Sequence, residues 1–303
     1  MDYPSAPIVS ASWLADHLSE VASADVRWSL DEGPKRAAYE LGHIPGAVFV
    51  DLDRDLSDPP GHRGRHPLPA VDRFLGRMAD LGLLARPVIC YDDQSGAVAA
   101  RLWWMLSTLG YPAAVLDGGI QAWTGALAPT DALASESRSN RARIVKGTED
   151  TGELAGAEKA KEVRSWPSQA VVDIERVMEE IQSGAVLLDA RSRGRFEGTE
   201  RSVDRRPGHV PGATSRPWTD NVGVDGRLKP SEQLRAELAE LGVGQGRWMA
   251  SCGSGVTGCH NLLAGAVAGL DRGRLFAGSW SQWAYDDDRP VETGPGAGDS
   301  GCD

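Results

Sequence analysis

Apolar positions along the chain come in two textures. One is helical spacing: Trp13, Leu14 and Leu18, and later Val177, Met178 and Ile181, fall on one face of an amphipathic helix. The other is the short unbroken run. Val88-Ile89-Cys90-Tyr91, Val186-Leu187-Leu188 and Trp248-Met249-Ala250 have the length of strands buried on both faces. Amphipathic segments from Phe74 to Leu81 and from Leu234 to Leu241 precede the strands at 88 and 248. Strands alternating with helices predict an α/β fold with parallel sheets flanked by helices. In such sheets ligands sit beyond the carboxyl ends of the strands, where loops enter helices.

The pattern occurs twice. His43-Ile44-Pro45-Gly46-Ala47 returns as His209-Val210-Pro211-Gly212-Ala213, offset by 166. Asp25-Val26-Arg27 returns as Asp189-Ala190-Arg191, offset by 164. Asp93-Gln94-Ser95-Gly96 aligns with Cys252-Gly253-Ser254-Gly255, offset by 159. Gly119 to Trp123 aligns with Ser279 to Trp283, offset by 160. Four matches in one order predict two tandem domains, 6–128 and 167–292. Residues 129–166 read as a charged surface linker with a short helix near Glu153 to Val163. Residues 293–303 read as a disordered tail.

Composition narrows the function. The chain has 303 residues, with 32 Lys+Arg against 43 Asp+Glu, a net charge of −11. That balance argues against nucleic acid and anionic membranes as partners. Four cysteines make no disulfide scaffold. The N-terminus lacks the basic start and apolar run of a signal peptide, so a cytoplasmic location with reduced thiols is expected. Glycine is in excess, at 36 residues, which implies tight turns or close approach of backbone to a ligand.

The segment Ser251-Cys252-Gly253-Ser254-Gly255-Val256-Thr257-Gly258-Cys259-His260 follows a strand and opens a helix. Its glycines let successive N–H groups turn inward as an anion-binding nest, and the helix adds its positive dipole end. A cysteine there is expected to be held as the nucleophilic thiolate. Cys252 is therefore the candidate nucleophile, with the alternative that it is a buried packing cysteine. Gly253, Gly255, Val256 and Thr257 are the candidate substrate cradle. Cys90 and Cys259 read as core residues. The Cys-x6-Cys-His spacing of Cys252, Cys259 and His260 fits no common zinc pattern, so no metal is expected, and no organic cofactor is implied.

The Cys-Gly-Ser-Gly-Val-Thr loop, the paired HIPGA and HVPGA motifs and the Gly-Ser-Trp-Ser-Gln-Trp ending resemble the two-domain rhodanese superfamily. The loop is similar to that of its 3-mercaptopyruvate sulfurtransferase branch. The resemblance spans about residues 6 to 292 and implies two rhodanese-like domains, only the second catalytic. It also implies a persulfide on Cys252 and an acceptor that is a thiol or cyanide, a thioredoxin-like protein among them. Asp93, set opposite Cys252, cannot form a persulfide, so the first domain is expected to wall the cleft. Phosphatases of similar fold use Cys-x5-Arg, whereas the sixth position here is Gly258. The thiosulfate branch places two cations after the cysteine, whereas here stand the neutral Gly253 and Ser254.

Mercaptopyruvate needs more than a cysteine, because pyruvate leaves as an enolate and must be protonated. The resemblance implies a proton relay through Ser254, His66 and Asp53, with His62 a rival for His66. Residues 189–206 hold six arginines against four acids, suited to a small anionic sulfur donor. The family's Gly-Arg-Phe pattern points to Arg195, and a second substrate arginine is assigned to Arg205, with Arg201 and Arg206 as rivals. Arg191 reads as a structural ion-pair residue. Thiosulfate as donor and a non-catalytic sulfur-carrier or interaction module remain the alternatives.

Overall fold

The computed structural model describes residues 6–130 and 165–296. The helix expected near Glu153 to Val163, most of the expected tail and Cys302 lie outside the described residues.

The first half runs β1 (Ile8–Val9), α1 (Ala11–His17), β2 (Ala22–Asp25), β3 (Trp28–Ser29), β4 (Gly33–Pro34), α2 (Arg36–Leu41), β5 (Val48–Phe49), α3 (Leu52–Asp55), α4 (Val71–Asp80), β6 (Val88–Tyr91), α5 (Ala99–Thr108) and β7 (Ala113–Leu116). The second runs α6 (Ile174–Gln182), β8 (Val186–Asp189), α7 (Arg193–Glu197), β9 (Thr214–Ser215), α8 (Ser231–Glu240), β10 (Trp248–Ser251), α9 (Gly258–Val267), β11 (Arg274–Leu275) and α10 (Ser279–Trp283). The strands at 88, 186 and 248 fall where unbroken apolar runs predicted them.

Both main sheets are parallel, as expected. The first has the order β1-β7-β6-β2-β5 and the second β11-β10-β8-β9. Val171 bridges Leu275 in parallel, taking beside β11 the place that β1 takes beside β7. Smaller features also recur. Arg27 and Arg191 pair with buried Asp25 and Asp189, each at 2.7 Å. The same arginines donate to Gly42 O and Gly208 O, at 2.8 and 2.9 Å. The two HxPGA histidines bond through Nδ1 to Tyr39 O and Phe196 O, at 2.8 and 2.9 Å. Losing one partner of such a buried pair costs about 3–5 kcal/mol, because the other charge stays buried. Arg191 thus serves the fold, like Arg27.

Helix character follows the sequence. In α4 the buried residues are Val71, Phe74 and Met78, one stripe of an otherwise polar helix. In α5 every residue from Ala99 to Leu106 is buried, and in α9 every residue from Gly258 to Gly265. Helices apolar nearly all round belong inside a core. One apolar cluster joins Leu102 and Trp104 to Trp248, Leu262 and Leu263, so the two sheets share it.

Two expectations about connecting segments need correction. Trp166, placed at the end of a surface linker, donates from Nε1 to Pro69 O at 2.7 Å and stacks near Trp104 at 5.7 Å. Its large apolar ring outweighs the polar composition around it. The tail assigned from 293 is packed at its start: Gly294 N donates to Glu197 O at 2.9 Å. Gly296 lies so close to Phe196 and Ala213 that a β-carbon would sit 2.5 Å from Ala213 O.

Candidate active site

The site is built where β10 ends. The strand stops at Ser251 and the chain curls through residues 252–257 before α9 begins. Cys252 is 2% exposed. Its sulfur accepts the backbone N–H groups of Ser254 and Gly255, at 3.4 and 3.1 Å. Two converging N–H dipoles at the mouth of a helix are the arrangement that holds negative charge. Gly255 makes the curl: its φ is +75°, and a β-carbon would stand 2.2 Å from Ala277 O. From below, Cys252 N donates to Ser279 Oγ at 3.1 Å, and Trp280 N donates to Cys252 O at 3.0 Å.

The other cradle residues divide. Gly253 and Gly255 line the turn. The Val256 side chain is 4% exposed and belongs to the shared core, because the chain is already turning inward toward α9. Thr257 is the N-cap of α9 and makes no side-chain cap bond.

Ser254, His66 and Asp53 come together across the two halves. Ser254 Oγ lies 2.8 Å from His66 Nδ1, and His66 Nε2 lies 3.0 Å from Asp53 Oδ1. A carboxylate only accepts, so Nε2 carries the proton and Nδ1 accepts the serine O–H. Trp28 Nε1 donates to Asp53 Oδ2 at 3.1 Å and fixes the carboxylate. The hydrogen bond from His66 holds Asp53 below the usual carboxylate range. Burial pushes His66 below the ordinary histidine value, against the opposing pull of Asp53. His62, the rival, is exposed, whereas His66 is 7% exposed.

The loop bearing His66 is pressed onto the second half. Gly64, at φ +103°, leaves only 2.9 Å for a β-carbon before Gly278 O and Ser281 Oγ. Arg65 N donates to Ser281 Oγ at 3.0 Å. Behind the cysteine loop, fully buried Arg101 donates to Gly255 O, Leu56 O and His66 O at 2.9, 3.0 and 2.8 Å. One guanidinium from α5 thus ties the cysteine loop to the histidine loop.

Two arginines flank Gly253. A β-carbon there would stand 2.7 Å from Arg65 Nη2 and 3.0 Å from Arg195 Nη2. Arg195 is therefore beside the loop, as expected. Arg205 is not: it pairs with Asp287 at 2.9 Å on the surface, its side chain 59% exposed. Arg206 donates to Asp287 O and Arg289 O, and Arg201 is exposed. The second cation beside the loop is Arg65, from the other half. Both guanidiniums pair with Asp204, Arg195 at 2.9 Å and Arg65 in a shorter contact. Sequence reading missed Arg65, Asp204 and Arg101. The first two lie far apart in the chain with no shared motif. Arg101 left one trace, a lone charge inside the apolar Ala99–Leu106 helix.

The counterpart of Cys252 also changes. In the sheets Tyr91 pairs with Asp25 as Ser251 pairs with Asp189. The residue after the strand is therefore Asp92, not Asp93. Asp93 pairs instead with Lys35 at 2.8 Å. The two loops differ by one residue in length, so their small residues also match one position out of register. Cys259 and Cys90 are fully buried and their thiols are pushed up by burial, consistent with core roles. His260 bonds Asn221 and Ser95 O at 3.2 and 3.1 Å. No cluster of three metal-ligating side chains occurs among the described residues.

Comparison with known proteins agrees with this geometry. The family description "Rhodanese-like domain" matches residues 10–126. A Pseudomonas aeruginosa protein named a probable 3-mercaptopyruvate sulfurtransferase is 41% identical over 96% of this chain and 99% of its own. A Mycobacterium tuberculosis protein, provisionally named thiosulfate sulfurtransferase SseB, is 37% identical over 90% of this chain and 91% of its own. The crystal structure of SseA, a 3-mercaptopyruvate sulfurtransferase of Escherichia coli, superposes with a TM-score of 0.71 at 31% identity. It covers 91% of this chain and 100% of that one.

Proposed function

The chain belongs to the rhodanese family and is a sulfurtransferase, and from that premise we propose that it moves sulfur from 3-mercaptopyruvate to a thiol or cyanide through a persulfide on Cys252. The Cys252 thiolate attacks the donor sulfur, the carbon–sulfur bond breaks, and its electron pair passes to the enolate of pyruvate. Net, one proton moves from the donor's sulfur to its carbon. The acceptor then attacks the outer sulfur and releases the Cys252 thiolate, the two halves of a ping-pong cycle. A small thiol or a thioredoxin-like protein fits the acceptor role.

The observation that carries this reading is the Ser254–His66–Asp53 chain beside Cys252. Neutral His66, its Nδ1 lone pair turned to Ser254, can take the proton through the serine and return it to carbon. Asp53 steadies the imidazolium in between. Sulfite leaving from thiosulfate needs no such proton, so the relay favours mercaptopyruvate. Arg195 and Arg65 suit its carboxylate. The reading assigns catalysis to residues 167–292, makes 6–128 the domain that supplies the relay, and fits a reducing cytoplasm. Among the described residues no helix is long and apolar enough to cross a membrane.

The test is exposure of the protein to each donor, followed by intact-mass and steady-state measurement. Cys252 should gain the mass of one sulfur, and kcat/KM should be higher for mercaptopyruvate than for thiosulfate. A preference for thiosulfate would reassign the donor. Persulfide on another cysteine would reject the assignment of Cys252.

A further inference from the structure

Asp204 is a buried carboxylate between two guanidiniums of different origin. Its side chain is 0% exposed, and those of Arg65 and Arg195 are 26% and 17% exposed. Oδ1 takes Arg65 Nη1, while Oδ2 takes Arg195 Nη2 at 2.9 Å and Ser202 Oγ at 2.7 Å. Burial works to raise Asp204, but Arg65, the Ser202 hydroxyl and Arg195 together hold it below the usual carboxylate range. It is thus a standing anion next to the cysteine loop. Each arginine keeps a buried Nε without a hydrogen-bond partner, and each has its Nη2 within 3.0 Å of where a β-carbon on Gly253 would stand. Unsatisfied buried donors are uncommon, and here both belong to guanidiniums whose Nη2 atoms reach the residue after Cys252. Arg101 is also near, but it lies behind the loop with its Nη groups on three carbonyls.

Two guanidiniums and one carboxylate leave a single net positive charge at this mouth. Resting on the sulfurtransferase reading above, we infer that Asp204 is a selectivity-setting positioning residue. It clamps Arg65 and Arg195 into one forked cation and cancels one of their two charges. The mouth then suits a donor with one carboxylate better than a dianionic donor. Arg65, from the half that lacks the cysteine, is the second donor-binding cation.

The test compares kcat/KM for mercaptopyruvate and thiosulfate in wild type, Asp204→Asn and Arg65→Gln. Asp204→Asn keeps the shape and raises the local charge by one. It should shift the ratio toward thiosulfate by about tenfold, mostly through KM, a size reasonable for one partly screened charge. Arg65→Gln removes a cation and should shift the ratio the other way, since the dianion loses more. A structural role alone would depress both donors together in both variants. That outcome, or an unmoved ratio in folded protein, overturns the inference while leaving wild-type persulfide formation intact. If wild-type Cys252 takes sulfur from neither donor, the reading of the site fails and this inference with it.

Discussion

The two strand-end loops, one in each half, use the same architecture to opposite ends. After β6, Asp92 accepts four backbone N–H groups, from Gln94, Gly96, Val98 and Ala99, all at 2.8 to 2.9 Å. After β10, the sulfur of Cys252 accepts two, from Ser254 and Gly255. Both loops are anion nests. The first is filled by its own carboxylate, while the second carries the proposed nucleophile with arginines at its mouth. Each loop is also met by a histidine from the other half: His260 Nε2 donates to Ser95 O, and His66 Nδ1 accepts from Ser254. Burial lowers both histidines, His260 to about 4. In one loop the contact is to a carbonyl and only packs. In the other it is to a hydroxyl whose proton can move. Reactivity therefore turns on a few side chains, not on the fold that holds them.

The harshest way to break the contrast is to remove the nucleophile. Cys252→Ser should abolish persulfide formation and lower kcat with either donor by at least about a thousandfold, checked by intact mass and turnover. Ser254→Ala comes next and sharpens it. Mercaptopyruvate kcat should fall about a hundredfold, the usual weight of a positioned proton-transfer group, with thiosulfate turnover much less affected. An equal loss with both donors would sink the relay.

A pH profile probes the same chain more gently. His66 must be neutral to accept, and its value is depressed. Mercaptopyruvate kcat/KM should therefore hold as pH falls past 6.5 and drop, about tenfold per unit, only below the lowered value. Stability runs the same way: unfolded His66 protonates first, so its burial as the neutral form destabilises increasingly as pH falls below 6.5. The smallest effect on activity is expected for Asp92→Asn. Turning an amide N–H₂ toward the nest's N–H donors should cost about 1–3 kcal/mol of stability in a denaturant melt. The donor ratio should stay at the wild-type value.

Much of this was legible in the chain. The strands, the amphipathic α4, the paired HxPGA turns and the Cys252 loop were all readable, because each is set by short-range backbone and burial preferences. Ser254, His66 and Asp53 were assigned by resemblance and lie together here. Failures came where one residue of register or one distant partner mattered. Matching the small-residue loops put Asp93 opposite Cys252, since loops of unequal length align equally well one residue apart. Only the parallel ladder, pairing Tyr91 with Asp25 and Ser251 with Asp189, chose Asp92.

Arginine richness in 189–206 likewise located a basic neighbourhood without saying which guanidinium turns inward. Arg195 does, Arg205 stays on the surface, and Arg65 arrives from another part of the chain. By itself, then, the sequence determined the strands, the duplicated turns and the loop of the proposed nucleophile, all of which depend on neighbours within a few residues. Tertiary structure alone decided the ring of charge around that nucleophile. The contact of Arg65 with Asp204, and that of Arg101 with Gly255, bridge 139 and 154 residues. Such pairings leave no local periodicity to read, because they form only when the two sheets bury a common core and bring their loops face to face.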